Sequence, residues 1–291
     1  MRCCADLELI VLLRICLLAL LCAGSACAKP DLVSHLVLTA QSDAFGGFSA
    51  IEVSEDGARF TALTDRGSLA TGTLMREGDA LTGVTDLEFR PLEQVGQAGS
   101  LPRKIDSEGL ALAGDGALFI SFELVHRVWR YTEAGGGERL PAHPDFDNFQ
   151  MNSGLEALAI DTDGALYAVQ ERSGAKDRPF PVYRFDGAAW SKPFTIARRG
   201  EYLPTGADVH GGRLYLLERG FTGFAFRSRI RSVALDGTDE REHLETAIFD
   251  HGNLEGLSIW KDAGGALRAT MISDDNFNPL QTTEIVEYRL D

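Results

Sequence analysis

The sequence predicts an all-β fold, a β-propeller of five four-stranded blades closed by the N-terminal strand. Three observations point there. A unit of acidic residue, apolar strand, tight turn, apolar strand and acidic residue runs from Asp106 to Glu123 and recurs at 154–172, 205–220, 253–275 and, earliest, 47–67. Aligned on Ser49, Glu108, Glu156, Asp208 and Glu255, the copies stand 59, 48, 52 and 47 residues apart. Repeats of roughly 40–50 residues made only of short strands are propeller blades, each burying its faces against two neighbours. Finally, Asp56-Gly57, Asp115-Gly116, Asp163-Gly164, Gly211-Gly212 and Gly264-Gly265 sit between the first two strands of each unit. Such pairs supply the positive φ of two-residue hairpins.

Taken in order, strands are expected at 48–53, 59–64, 69–74 and 81–89 for blade one, and at 108–113, 117–122, 127–131 and 138–140 for blade two. Blade three takes 155–160, 165–170, 181–185 and 190–196, and blade four 206–210, 213–218, 229–234 and 241–248. Blade five has only 254–260, 267–273 and 284–290. The spare strand at 33–39 completes it by pairing with Thr283–Leu290, which leaves no open edge. Six blades would also fit if the first step of 59 hides an extra hairpin. The strands alternate weakly and are rich in Leu, Ala, Ile and Phe, as expected of strands covered on both faces. Long loops at Glu93–Ile105 and Pro141–Ser153 interrupt the pattern, where binding groups often sit.

Residues 1–28 read as a secretory signal peptide. Arg2 and Arg14 precede an apolar run to Ala26, and Ala26-Cys27-Ala28 offers small residues at the spacing of a cleavage site before Lys29. Asp6 and Glu8 are unusual in such a leader. A lipoprotein anchored at Cys27 is the second reading, since Gly24 stands where that signal prefers Leu. Residues 29–291 then form a single domain, expected to be a monomer in the periplasm or secreted. All five cysteines lie in the leader, so the mature chain has neither disulfide nor thiol. The net charge of −15 argues against nucleic acid and anionic membranes as partners. Nothing after the leader is apolar for long enough to span a bilayer.

In a four-stranded blade the start of the first strand and the end of the second share a face. Glu108, Glu156, Asp208 and Glu255 are therefore expected to crowd one mouth of the channel, with Asp65, Glu123, Glu171, Glu218 and Asp274 around them. Converging carboxylates either take up protons or hold a cation. Oxygen-only ligands favour Ca²⁺ or Mg²⁺, and Asn152, Asn253 and Asn276 could add amide oxygens. The plainer reading is that each Glu-Gly bonds the backbone of the next blade. Arg66, Arg127, Arg172 and Arg219 lie on the same rim and would suit a phosphate or carboxylate, or else pair with neighbouring carboxylates. No nucleophile elbow, HExxH, Walker loop or dinucleotide fingerprint is present. Ser49, Ser107 and Ser153 show no triad pattern, and His126, His143 and His251 read first as ordinary loop histidines.

Gly46-Gly-Phe-Ser-Ala-Ile51, Thr64-Asp-Arg-Gly67, Asp106-Ser-Glu-Gly-Leu-Ala111, Asn152-Ser-Gly-Leu-Glu-Ala-Leu-Ala159, Asn253-Leu-Glu-Gly-Leu-Ser258 and Ser273-Asp-Asp-Asn-Phe277 with Gln281-Thr-Thr283 resemble, in order, the "esterase-like activity of phytase" family. The resemblance implies an exported bacterial β-propeller that hydrolyses phosphate or carboxylic esters with calcium. It supplies no catalytic residues. Ala157 after Glu156 and Gly-Ala before Asp208 depart from the family's Glu-Gly-Leu pattern. The expected function is a divalent-metal-dependent hydrolase of a small anionic ester, phosphomonoester ahead of lactone or carboxyl ester. The rival is a non-enzymatic propeller binding a ligand or envelope protein through the same rim.

Overall fold

A computed structural model of the chain describes residues 30–92, 106–132 and 137–290. The expected signal peptide and the loop at 93–105 lie outside the described residues. The described residues form five four-stranded antiparallel sheets. The first strand, β1 (Asp31–Leu38), precedes blade one, which is β2 (Phe48–Val53), β3 (Arg59–Thr64), β4 (Ser68–Glu77) and β5 (Ala80–Pro91). Blade two is β6 (Ser107–Leu112), β7 (Leu118–Phe122), β8 (Arg127–Tyr131) and β9 (Gly137–Arg139). Blade three is β10 (Ala157–Ile160), β11 (Leu166–Val169), β12 (Phe180–Phe185) and β13 (Trp190–Ile196). Blade four is β14 (Leu203–His210), β15 (Arg213–Phe221), β16 (Phe226–Ala234) and β17 (Arg241–Glu245). Blade five is β18 (Asn253–Lys261), β19 (Leu267–Asp274) and β20 (Thr283–Leu290), completed by β1 in the order β1-β20-β19-β18. Leu38 pairs with Thr283 and Asp31 with Arg289, so the two ends of the ring are held by main-chain hydrogen bonds. The long first step contains the extended β4 and β5, and the fold has five blades.

The apolar core divides by blade interface. One cluster packs Ala157, Val169 and Val182 of blade three on Leu214 and Leu216 of blade four. The next packs Leu217 and Ile230 of blade four on Leu257 and Met271 of blade five. Three further clusters join blades two and three, five and one, and one and two. Each inner sheet is thus covered on both faces, which is why its strands do not alternate cleanly.

The hairpin reading needs correction. Only Gly211-Gly212 forms a two-residue loop, between His210 and Arg213, with both φ positive. At the Asp-Gly and Gly264-Gly265 turns the second glycine donates to the carbonyl three residues back, as Gly116 does to Ala113 and Gly164 to Asp161. At Asp115-Gly116, Asp163-Gly164 and Gly264-Gly265 these are three-residue loops, a turn followed by one left-handed glycine, whereas the Asp56-Gly57 loop has four residues between Ser54 and Arg59.

The first strands of the blades pack side by side around the axis. Their closeness rests on one small residue near the start of each inner strand. A β-carbon on Gly206 would run into the carbonyl oxygen of Glu255. One on Gly256 would lie 2.6 Å from the backbone nitrogen of Ile51, and one on Gly109 2.9 Å from the carbonyl oxygen of Glu156. Ala50 and Ala157 hold the same place in blades one and three. The axis itself is nearly filled, with a void of about 10 Å³ among Ser49, Gly109, Glu156, Gly206 and Gly256. Gly206→Ala is therefore expected to cost about 1–3 kcal/mol, as overpacked cores do. Gly83→Ala, with nothing within 4 Å, should change stability by no more than about 0.5 kcal/mol. Urea unfolding of both variants compares them directly.

Candidate functional site at the channel mouth

Register fixes which residues are equivalent. The ladder between the first two strands slips at Ser49, at Glu108-Gly109, at Thr205 and at Glu255. The steps from 108 to 156, 205 and 255 then become 48, 49 and 50. Thr205, not Asp208, is the blade-four counterpart of Glu255. A second correction follows one strand on. Asp65, Glu123 and Glu171 donate their backbone N–H to Gly47, Asp106 and Gly154, and Asp274 and Arg219 pair with Asn253 and Leu203. The position that is acidic in four blades is Arg219 in blade four. Glu218 lies one residue earlier, and a one-residue offset turns a strand side chain to the other face. It is buried between Arg229 and Arg231 and serves as a structural ion pair.

Asp208 lies three residues along β14 from the mouth position, about 10 Å at strand rise. Its carboxylate accepts N–H bonds from Val209 at 2.6 Å and from Ile259 of the next blade at 2.5 Å. Ser258 accepts from Val53 in the same way, and Glu52 from Leu112. Asp208 therefore belongs to a belt of contacts between blades. Hydroxyl groups form another such belt near the mouth. Ser49 donates to the carbonyl of Ser107, Ser121 to that of Leu155, and Thr205 to that of Leu254. Ser107 donates to Thr64 and Ser153 to Glu171.

Glu108, Glu156 and Glu255 do come together. Glu108, Glu123 and Glu156 lie close enough that the pKa of each is shifted by its neighbours, and the charge of Glu255 also bears on Glu108. One carboxylate oxygen from each of Asp106, Glu108 and Glu123 lies within 4.8 Å of the others, so this group could hold a metal ion. Asp274 borders Glu255, and Asp65 borders Asp274 and Asp106. Asp65 keeps a buried Oδ1 with no hydrogen-bond partner among the described residues. Among the described residues, Arg219 is the cation inside this group. Its guanidinium contacts Glu255 and donates to Glu171 at 3.2 Å and to Asn253 at 2.7 Å. Asn253 in turn donates to Glu255 at 2.9 Å.

Burial is the first cause of the resulting pKa shifts, and like charge adds to it. Glu108 and Glu156 are pushed well above the usual carboxylate range, Glu255 to about 7 and Asp65 to about 6. In Glu255 the charge of Arg219 opposes part of the rise. Buried carboxylates with so little compensating charge match hard divalent cations, which take oxygen ligands.

The remaining candidates divide. Arg172 is half exposed beside Glu171 and lines a cleft of about 560 Å³. Lys176, Arg198, Arg219, Phe221 and Asn253 line the same cleft, which joins it to the acidic mouth. Arg66 is exposed and stacks on Phe277, its guanidinium carbon 3.2 Å from the ring centre. Arg127 is buried, donates to the carbonyl of Val125 at 2.7 Å and stacks on Phe122, so it braces its own turn. Asn152 is exposed, and no contact ties it to the carboxylates. His143 caps a 3₁₀ turn at Pro144–Asn148, which buries Phe146 against Tyr183 and Trp190. Lys176 and Arg198 were missed by sequence reasoning. The signal was the ten-residue link between β11 and β12 and the arginine pair ending β13.

The matching family model, "Phytase-like: Esterase-like activity of phytase", covers residues 43–277. The chain belongs to this family. No curated protein matches the sequence. Among solved structures, a putative exo-β-1,3-galactanase from Bifidobacterium bifidum is similar at TM-score 0.53 and 13% identity, covering 88% of this chain and 92% of that one. A protein of unknown function from Dyadobacter fermentans gives 0.48 at 12%, covering 89% and 87%. Virginiamycin B lyase from Staphylococcus aureus gives 0.47 at 13%, covering 88% and 98%. At these identities the first likeness is one of fold, and no argument rests on the other two.

The raised carboxyls make stability depend on pH in a definite direction. Groups whose folded pKa exceeds the unfolded value bind more protons when folded, so their contribution is full at acid pH and is lost as pH rises. With chelator present, the melting temperature is expected to fall between about pH 4 and pH 7, the range set by Asp65 and Glu255. Added Ca²⁺ should restore it at the upper end. Melting curves across pH, with and without Ca²⁺, check this.

Proposed function

We propose that the protein is an exported hydrolase of small anionic esters that uses a divalent cation, calcium first and magnesium second. Phosphomonoesters come ahead of lactones or carboxyl esters. One observation carries the reading: the carboxylate group of Asp106, Glu108, Glu123 and Glu156 adjoins a cleft edged by Arg172, Lys176, Arg198 and Arg219. Those four carboxylates would hold the ion, because Glu255 is already engaged by Arg219 and Asn253. A cation there supplies polarisation of the ester oxygen and a more acidic bound water.

The chain's own residues do the rest. Arg172, Lys176 and Arg198 bind the anionic end, and forked guanidinium groups suit its paired oxygens. Arg219, clamped between Glu171 and Glu255, orients the inner end of the cleft. Glu255, shifted to about 7, is matched to moving a proton at neutral pH. Phe221 and Phe226 give the cleft an apolar wall that excludes water from one side. A volume of about 560 Å³ suits a small molecule.

A second reading has its own support. Phe221, Phe224, Ile248 and Phe249 are exposed together beside the cleft, with Phe224 stacked near Phe249. Apolar patches on a rim also serve ligand or protein binding without chemistry. Turnover of p-nitrophenyl phosphate and short-chain p-nitrophenyl esters, with Ca²⁺ and with chelator, separates the two. The hydrolase reading expects Ca²⁺-dependent turnover, lowered on the order of 100-fold by Glu108→Gln. Arg172→Ala should raise KM with little change in kcat, because it removes ground-state binding. Absence of turnover on every substrate and metal would leave the binding reading.

A further inference from the structure

The closure of the ring carries a second cluster that the acidic mouth does not use. His35 on β1, His251 just ahead of β18 and Glu284 at the start of β20 each offer one ligand atom, and these lie within 4.8 Å of one another. His35 Nε2 stands 3.5 Å and His251 Nδ1 3.9 Å from Glu284 Oε2. The two imidazoles meet edge to face, with ring centres 5.6 Å apart.

The second observation is the state of His251. The residue is 9% exposed, and its Nδ1 is buried with no hydrogen-bond partner among the described residues. Its Nε2 is 2.7 Å from the hydroxyl of Tyr288, which is itself buried. With the proton on Nε2 donated to Tyr288, Nδ1 presents a bare lone pair toward Glu284. A buried imidazole nitrogen left this way is costly unless something takes the lone pair. Glu284 is held as well. Its Oε1 accepts from Thr282 at 3.1 Å and its Oε2 from the N–H of Gly252 at 3.3 Å.

We propose that His35, His251 and Glu284 form a zinc-class metal site that clips the N-terminal strand to the last blade. Two imidazoles and one carboxylate are the donor set of a borderline transition metal, unlike the oxygen-only mouth. Ligand atoms at zinc bond lengths lie about 3.4 Å apart, and Glu284 Oε2 already stands 3.5 and 3.9 Å from the two imidazole nitrogens. Tyr288 acts as the outer hydrogen-bond partner that fixes the tautomer of a ligating histidine. His35 has 40% of its side chain exposed, which leaves the fourth position to water. Because the three ligands come from β1, from the residues ahead of β18 and from β20, the ion would join the two ends of the ring. This assignment is independent of the proposed hydrolysis.

The test is calorimetric titration of Zn²⁺ into the purified protein, already saturated with Ca²⁺ to occupy the acidic mouth, paired with melting curves. One zinc per chain is expected, and at a hundredfold excess over Kd the melting temperature should rise by roughly 5 °C. His35→Ala, a change at an exposed residue, should leave the zinc-free melting temperature within about 2 °C of wild type. The same variant should weaken zinc binding by roughly tenfold or more. Glu284→Gln should do the same to zinc affinity. Co²⁺ should give the visible bands of a four-coordinate N/O site in wild type and lose them in His35→Ala. No zinc uptake by wild type, or undiminished uptake by both variants, overturns the proposal.

Discussion

The close approach of five inner strands is the constraint on which the rest depends. Gly109, Gly206 and Gly256 allow backbone to touch backbone across blades, and the axis is left almost without free space. The residue before each of these glycines, and before Ala50 and Ala157 in blades one and three, holds the equivalent place at the mouth. In blades two, three and five that residue is a glutamate, and in blades one and four it is the hydroxyl residue Ser49 or Thr205. The hydroxyls tie one blade to the next, while the glutamates are left to face one another.

Packing therefore creates the electrostatic problem at the mouth. The glutamates of the first strands meet Asp65, Glu123, Glu171 and Asp274 from the second strands and Asp106 from the loop. Arg219 compensates on one side only, where it holds Glu171, Asn253 and Glu255. On the other side Glu108, Glu123 and Glu156 crowd one another with their like charges. Carboxyl groups in that state either keep protons at neutral pH or surrender them to a cation, and the proposed hydrolysis requires the second. In the proposed reading the basic edge of the adjoining cleft would give an anionic substrate a place next to that cation.

Much of this was legible in the sequence. The strand–turn–strand repeat, the short fifth blade and the spare N-terminal strand fixed the ring, and the family motifs ran along it. The convergence of Glu108, Glu156 and Glu255 followed from strand geometry alone. The misses share a cause, which is register. Asp208 and Glu218 are acidic residues near the right places in the repeat, but backbone pairing sets one three residues and the other one residue away. Each is consumed by structure, Asp208 by the backbone of Ile259 and Glu218 by Arg229 and Arg231. A bulge cannot be read from residue types, so Thr205 and Arg219 were not seen as their counterparts. The three-residue turns were missed for a similar reason, since Asp-Gly serves both loop lengths. Lys176, Arg198 and the His35–His251–Glu284 group needed contacts between segments far apart in the chain.

In the proposed reading the acidic mouth is built around a divalent cation. The most direct measurement is a crystal structure of the protein grown with Ca²⁺, read by its anomalous difference map. A single strong peak within the carboxylate group of Asp106, Glu108, Glu123 and Glu156 is the result expected. A mouth without a peak, its carboxyl oxygens paired with one another through shared protons at saturating Ca²⁺, would contradict it.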